Sequence, residues 1–222
     1  MKKLFTIILL FASLVVSAQQ GEIGALGGLS YYNGDINPLT PKYIFDHPQK
    51  VAGLFYRYNL DDRLAIRITY SNAEIAGDDA LRQFQPDRQM SFKTSLNELS
   101  AQFEVNFFKY STEGDENRFA PYIFGGLGAT NFKVKEAEPN SSNVPLPKGS
   151  TLVFPLGIGI KYCLFPNVTA GLEWGIRKTC TSKLDNVYTD PYRLSTDNDW
   201  YSFLGFSISW KFNLFNSYRC YN

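Results

Sequence analysis

Residues 98–107 alternate without a break: Glu98, Ser100, Gln102, Glu104 and Asn106 occupy one parity, and Leu99, Ala101, Phe103, Val105 and Phe107 the other. A period of two places successive side chains on opposite faces of an extended chain, so this segment reads as a strand with one apolar and one polar face. The pattern returns at 63–72 (Leu64, Ile66, Ile68, Tyr70 against Arg67, Thr69, Ser71), at 168–177 (Val168, Ala170, Leu172, Trp174, Ile176 against Thr169, Glu173, Arg177) and at 204–213 (Leu204, Phe206, Ile208, Trp210, Phe212 against Ser207, Ser209, Lys211). Weaker versions lie near 22–33, 51–60, 119–132 and 151–163, which makes eight strands of about ten residues each. A strand tilted ~45° needs ~9–11 residues to cross a bilayer.

Alternation alone is equally compatible with a soluble sandwich whose apolar faces meet in a core. Two further features favour a membrane barrel. The connections alternate in length: 34–50, 77–90, 133–150 and 180–198 are long, whereas 60–63, 109–118 and 164–167 are short or moderate. Short periplasmic turns and longer outer loops characterise outer-membrane barrels. Aromatic residues also gather near predicted strand ends (Tyr31, Tyr32, Tyr58, Phe107, Phe108, Tyr110, Tyr162, Trp200, Tyr201, Phe212), where interfacial girdles form. The expected fold is therefore all-β: an eight-stranded antiparallel transmembrane barrel over residues 19–213.

The N-terminal segment supports export. Lys2-Lys3, an apolar run from Leu4 to Val16 and then Ser17-Ala18 read as a signal peptide over 1–18, with cleavage after Ala18. The apolar run is shorter than the ~20 residues a spanning helix needs. Charge excludes other classes. Twenty-two basic and 21 acidic residues leave no excess for nucleic-acid phosphates, and one His and three Cys argue against a His-rich metal site or a dense disulfide framework.

Eight strands enclose an interior filled by side chains. The inward parity carries Arg57, Arg67, Glu98, Glu104, Lys161, Glu173, Arg177 and Lys211, together with Gly157, Gly159, Gly171, Gly175 and Gly205. Buried charges must pair. We read the set as a structural plug in which the glycines leave room for long arginines; a conducting pore is the alternative for the same residues. The glycines at 125, 126 and 128 blur the parity of the fifth strand, and its faces stay unassigned.

Other candidates for chemistry read as ordinary. His47 lies beside Asp46 in a polar loop without the elbow or helix that would hold it against a nucleophile. Asp61-Asp62, Asp78-Asp79 and the acids from Asp185 to Asp199 lack the spacing of a calcium loop and read as solvated turn carboxylates. Asn33-Gly34-Asp35 is turn chemistry. Gly24 to Gly28 lack a nucleotide-loop spacing and read as close packing within a strand. Cys163 and Cys220 fall at the same barrel end, which permits a disulfide between them; Cys180 falls at the opposite end. No cofactor, metal, catalytic residue or small-molecule substrate is expected, and no enzymatic activity.

The chain also resembles a known family. Ser30-Tyr31-Tyr32-Asn33-Gly34-Asp35-Ile36-Asn37-Pro38 is similar to the opening of the Bacteroidetes outer-membrane β-barrels that include the type IX secretion component PorG. Further similar stretches are Leu54 to Asn59, Gly77-Asp78-Asp79, Ser91-Phe92-Lys93, Glu104 to Phe108, Leu172 to Thr179 and Asp197 to Tyr201. After Thr179 the resemblance breaks: Cys180-Thr181-Ser182-Lys183 replaces the Phe and acidic run the family would have. The resemblance implies a non-enzymatic barrel that ties periplasmic secretion-ring proteins to the outer membrane. Residues 214–222 continue past the last predicted strand, with Leu214, Phe215, Tyr218, Arg219 and Tyr221 as a possible docking tail. Plugging the barrel or lying along the headgroups are other uses of the same tail. A stand-alone surface barrel (an adhesin or envelope stabiliser) and a lipid-modifying enzyme acting through His47 are the competing functions.

Overall fold

The computed structural model describes residues 20–33, 47–78, 91–108, 118–138, 146–184 and 198–212. Eight antiparallel strands close into a barrel in chain order. They are β1 (Gln20–Asn33), β2 (Gln49–Asn59), β3 (Leu64–Asp78), β4 (Ser91–Asn106), β5 (Phe119–Glu138), β6 (Lys148–Phe165), β7 (Val168–Thr179) and β8 (Trp200–Phe212). β8 returns to pair with β1, from Gly21 opposite Phe212 to Asn33 opposite Trp200, so no strand edge is left open.

The strands cross in alternate directions, which gives the barrel two unlike ends. At one end β2 turns into β3 through 60–63, and β6 into β7 through Pro166-Asn167 alone. Asp61 Oδ1 accepts from the amides of Arg63 (2.6 Å) and Leu64 (2.8 Å), a turn carboxylate as its sequence context suggests. Asn167 adopts φ 67°, a left-handed conformation that Asn tolerates and a branched residue would resist. At the same end β4 is joined to β5 through 107–118, and the opposite end carries the connections 34–48, 79–90, 139–147 and 180–199.

Several strands exceed their predicted lengths. β5 and β6 run to Glu138 and start at Lys148, so much of the expected 133–150 connection is a strand pair. β3 and β4 are likewise extended at the long-loop end. In the extra residues the outward positions are mainly polar and the inward ones apolar (Ile75, Phe92, Leu96, Val134), which inverts the parity of the rest of the strands while the ladder continues through them.

The burial pattern inverts that of a soluble protein. Ile66, Ile68, Leu99, Phe103, Leu127, Leu156, Ile158, Leu172, Phe206, Ile208 and Trp210 all face outward and exposed, whereas the alternate positions are buried. On β6 the outward apolar positions run from Leu152 to Leu164. At ~3.3 Å per residue and a tilt of ~40°, that band is about 30 Å tall, the thickness of a bilayer's hydrocarbon core. Among the described residues no helix is long and apolar enough to cross a membrane.

Three of the expected girdle residues are corrected. Tyr32 and Tyr201 have no exposed surface and point into the barrel, because they share parity with the interior rather than the wall. Tyr31, although on the outward parity, is buried too. Phe107, Phe108 and Tyr162 face outward and exposed. Tyr110, the 1–18 leader, Asp46, Cys220 and the 214–222 tail lie outside the described residues, so the Cys163–Cys220 pairing and the tail's contacts do too.

Candidate functional site

Among the described residues the buried ionisable groups converge in the barrel interior. Each of the charged residues named from the sequence (Arg57, Arg67, Glu98, Glu104, Lys161, Glu173, Arg177, Lys211) is buried on an inward-facing position, and Glu22 and Asp199 join them. That makes five cations and five carboxylates, a neutral set, which a low-dielectric interior requires.

Glu104 is the hub of the half nearer the short turns. Its carboxylate faces Arg57 Nε at 2.9 Å, Arg67 Nε at 3.0 Å and Lys161 Nζ at 2.5 Å. Arg57 continues to Glu22 at 2.6 Å, where Asn59 (2.9 Å), Ser209 (3.0 Å) and Lys211 (3.8 Å) also converge. Arg67 continues to Glu173 at 2.5 Å and to Gln102 Oε1 at 3.0 Å through Nε, and Tyr122 OH donates to Glu173 at 2.8 Å. The network thus ties all eight strands together, β5 through Tyr122. Glu98 and Arg177 stand apart from it as a looser pair at 3.6 Å, with Tyr201 OH donating to Glu98 at 2.6 Å.

The sequence reading gave the interior glycines to the arginines; that holds at Gly175, where a methyl group would meet Arg177 Nη1 at 3.0 Å, whereas Gly171 faces Ser207 and Gly205 faces Glu173. Gly157, Gly159 and Gly175 make room for aromatic rings. A methyl group on Gly159 would lie 2.5 Å from the Tyr122 ring, and one on Gly157 or Gly175 would lie 2.5 or 2.7 Å from the Phe124 ring. Gly24 is filled in the same way by Phe55, so its reading as a close-packing residue holds. These rings in turn carry the cations: Arg57 lies 4.9 Å from the Phe55 centroid, Arg67 5.1 Å from Phe124, Lys161 4.4 Å from Tyr122 and Arg177 4.0 Å from Phe203. Each charge has a carboxylate on one side and the negative face of a ring on another.

The half nearer the long loops is different in kind. Leu26, Tyr32, Val51, Ile75, Phe92, Leu96, Phe132, Val153 and Phe203 form an apolar cluster inside the barrel, and Leu184 of the β7–β8 connection enters it with no exposed surface. Asp199 bolts this plug in place. It accepts from Tyr32 OH at 2.8 Å and from the Leu184 amide at 2.9 Å, while Thr94 Oγ1 donates to the Leu184 carbonyl at 2.7 Å. Asp199 is therefore a buried structural acceptor and not the solvated turn carboxylate expected of it.

Sequence reasoning missed Glu22, the inward aromatics and the plug. Glu22 shares parity with Gly24 and Leu26 and opposes Ile23 and Ala25, but glycines weaken the alternation there. Phe55 shares parity with Arg57 two positions on, a coincidence readable in the sequence, whereas Tyr122, Phe124 and Phe203 have no charged residue two positions away. Nothing local marks Leu184.

These features define the class: a closed eight-stranded antiparallel barrel with an apolar wall and a self-filled interior. Solved structures of the same architecture include neisserial surface protein A, with a TM-score of 0.54 and 13% identity over 86% of this chain and 97% of that one. They also include the N-terminal β-barrel domain of Pseudomonas aeruginosa OprF, with a TM-score of 0.51 and 14% identity over 87% and 97%. At such identities the likeness is one of fold. No curated protein matches the chain in sequence. The chain belongs to the family described as Domain of unknown function (DUF6089), whose match spans residues 1–222.

Proposed function

We propose that this protein is an exported outer-membrane barrel that acts as a non-enzymatic scaffold, the membrane subunit of a type IX-like secretion system that holds periplasmic ring proteins at the short-turn end. The observation that carries this reading is the interior. Charge network and apolar plug follow one another along the barrel axis, so a path for ions or a substrate has no room and the working surfaces are the two ends. The ~30 Å apolar band supports a lipid setting. An export signal cut after Ala18 places the first mature residues directly at β1, which opens at Gln20.

Barrels of this kind keep their short turns in the periplasm. On that orientation β8 ends at Phe212 on the periplasmic side, and residues 214–222 that follow it are the proposed docking tail. The family resemblance quoted above supports the secretion role. Deleting 214–222 tests it. A tagged variant that still assembles as a heat-modifiable barrel is expected to lose recovery of periplasmic partners and to lower the amount of secreted protein. Unchanged partner recovery removes the docking tail. A chain deletion that leaves the secreted proteins at normal levels removes the secretion role in favour of the stand-alone surface barrel.

A further inference from the structure

On the long-loop side, β3 to β6 rise above the apolar band and present an ordered polar wall. Cross-strand register sorts its outward face into rows. The last apolar row is Tyr70, Leu99, Ala129 and Leu152. Two residues higher stand Asn72, Asn97, Asn131 and Ser150, joined by hydrogen bonds from Asn72 to Asn97 (2.8 Å) and from Ser150 to Asn131 (2.5 Å). The next row is Glu74, Ser95, Lys133 and Lys148.

Glu74 is already engaged, by Lys135 at 2.6 Å and Lys93 at 3.3 Å. Lys133 and Lys148 are direct cross-strand partners, both exposed, and neither meets a carboxylate among the described residues. Residues 139–147, which join their strands, contain no acid. Like charges directly opposed on a sheet are destabilising unless an anion lies between them. Four residues along a tilted strand place the pair about 10 Å above the Ala129–Leu152 row, at headgroup depth, with stems long enough to reach down to it.

We propose that the outward face of β5–β6 above the apolar band binds the phosphorylated sugar head of an outer-leaflet glycolipid. Lys133 and Lys148 grip the phosphate, the Asn131–Ser150 row meets sugar hydroxyls, and Leu152 continues into the acyl chains. The assignment rests on the membrane setting and orientation proposed above and not on the secretion role.

The test uses the full-length protein in vesicles of phosphatidylcholine doped with a bisphosphorylated glycolipid or with its dephosphorylated form, read by native mass spectrometry and thermal unfolding. The wild type is expected to retain the phosphorylated form about thirtyfold better. K133Q/K148Q is expected to lose that preference while unfolding no earlier than wild type in phosphatidylcholine alone. Lys133→Glu, which sets an ion pair against Lys148, keeps the fold and also loses the preference. Equal retention by K133Q/K148Q overturns the proposal, as does an equal loss in K50Q/K178Q, which removes the same charge elsewhere. Stabilisation of the wild type by inorganic phosphate in undoped vesicles, matching that of the glycolipid, overturns the lipid assignment in favour of a free anion. Failure to insert into any vesicle fails the membrane reading itself, whereas insertion without phosphate preference fails this proposal alone.

Discussion

Glu104 shows what one residue carries in this interior. Three cations share its carboxylate, and all four groups are buried. Glu104→Gln keeps the shape but leaves Arg57, Arg67 and Lys161 without their common counter-charge. Breaking a buried pair in this way costs about 3–5 kcal/mol. The expected result is a lower urea midpoint for the barrel in lipid vesicles, with folding lost altogether in the variant that also lacks Glu22. Glu74 makes the opposite case at the water-exposed rim. Its hydrogen bond from Lys135 holds its carboxyl below the usual carboxylate range against the opposing effect of burial, with a further hydrogen bond from Lys93. A lowered folded-state pKa means that this contribution is fully present above the ordinary carboxylate pKa. It fades as pH falls through the lowered value. Unfolding midpoints of wild type and Glu74→Gln are expected to differ slightly above that acidic window and to converge as pH falls through it and the Glu74 carboxyl becomes neutral. Identical pH profiles throughout would remove the contribution assigned to Glu74.

Among elements, the β5–β6–β7 seam depends on ring-over-glycine fits. Tyr122 covers Gly159, and Phe124 covers Gly157 and Gly175. Gly159→Ala pushes only on the Tyr122 ring, so the barrel is expected to assemble with a stability loss of about 1–3 kcal/mol, typical of overpacking. Combining it with Tyr122→Leu relieves that clash but forfeits the hydrogen bond to Glu173. The two changes are therefore expected to be non-additive in a double-mutant cycle; strict additivity would mean that the ring does not fill the glycine's space. The eight strands were legible because alternation is written into neighbouring residues. Which inward glycine meets which ring was not, because that depends on register: Phe124 and Gly157 are partners only once β5 and β6 are paired.

At the level of the whole molecule, the apolar wall and the charged interior exchange the usual places of oil and charge. Leu156 sits near the middle of the β6 band with 55% of its surface exposed. Leu156→Arg is expected to destabilise the barrel in vesicles by about 2–4 kcal/mol, with a smaller loss for the same change at Leu164 near the band's edge. Equal costs at the two depths, or none at either, would mean that the wall does not face lipid.

The sequence by itself determined how many strands there are, where their middles lie and, for all but the fifth, which face meets the wall, since a two-residue period is a local property that survives in any context. Only the tertiary structure decided how the inward charges pair, that the Tyr122 and Phe124 rings fill the gaps at Gly159 and Gly157, and that Leu184 enters the apolar cluster at one end. Arg67 and Glu173 are 106 residues apart in the chain. Their meeting is set by closure, tilt and register acting around the whole barrel, and no window of neighbouring residues contains that information.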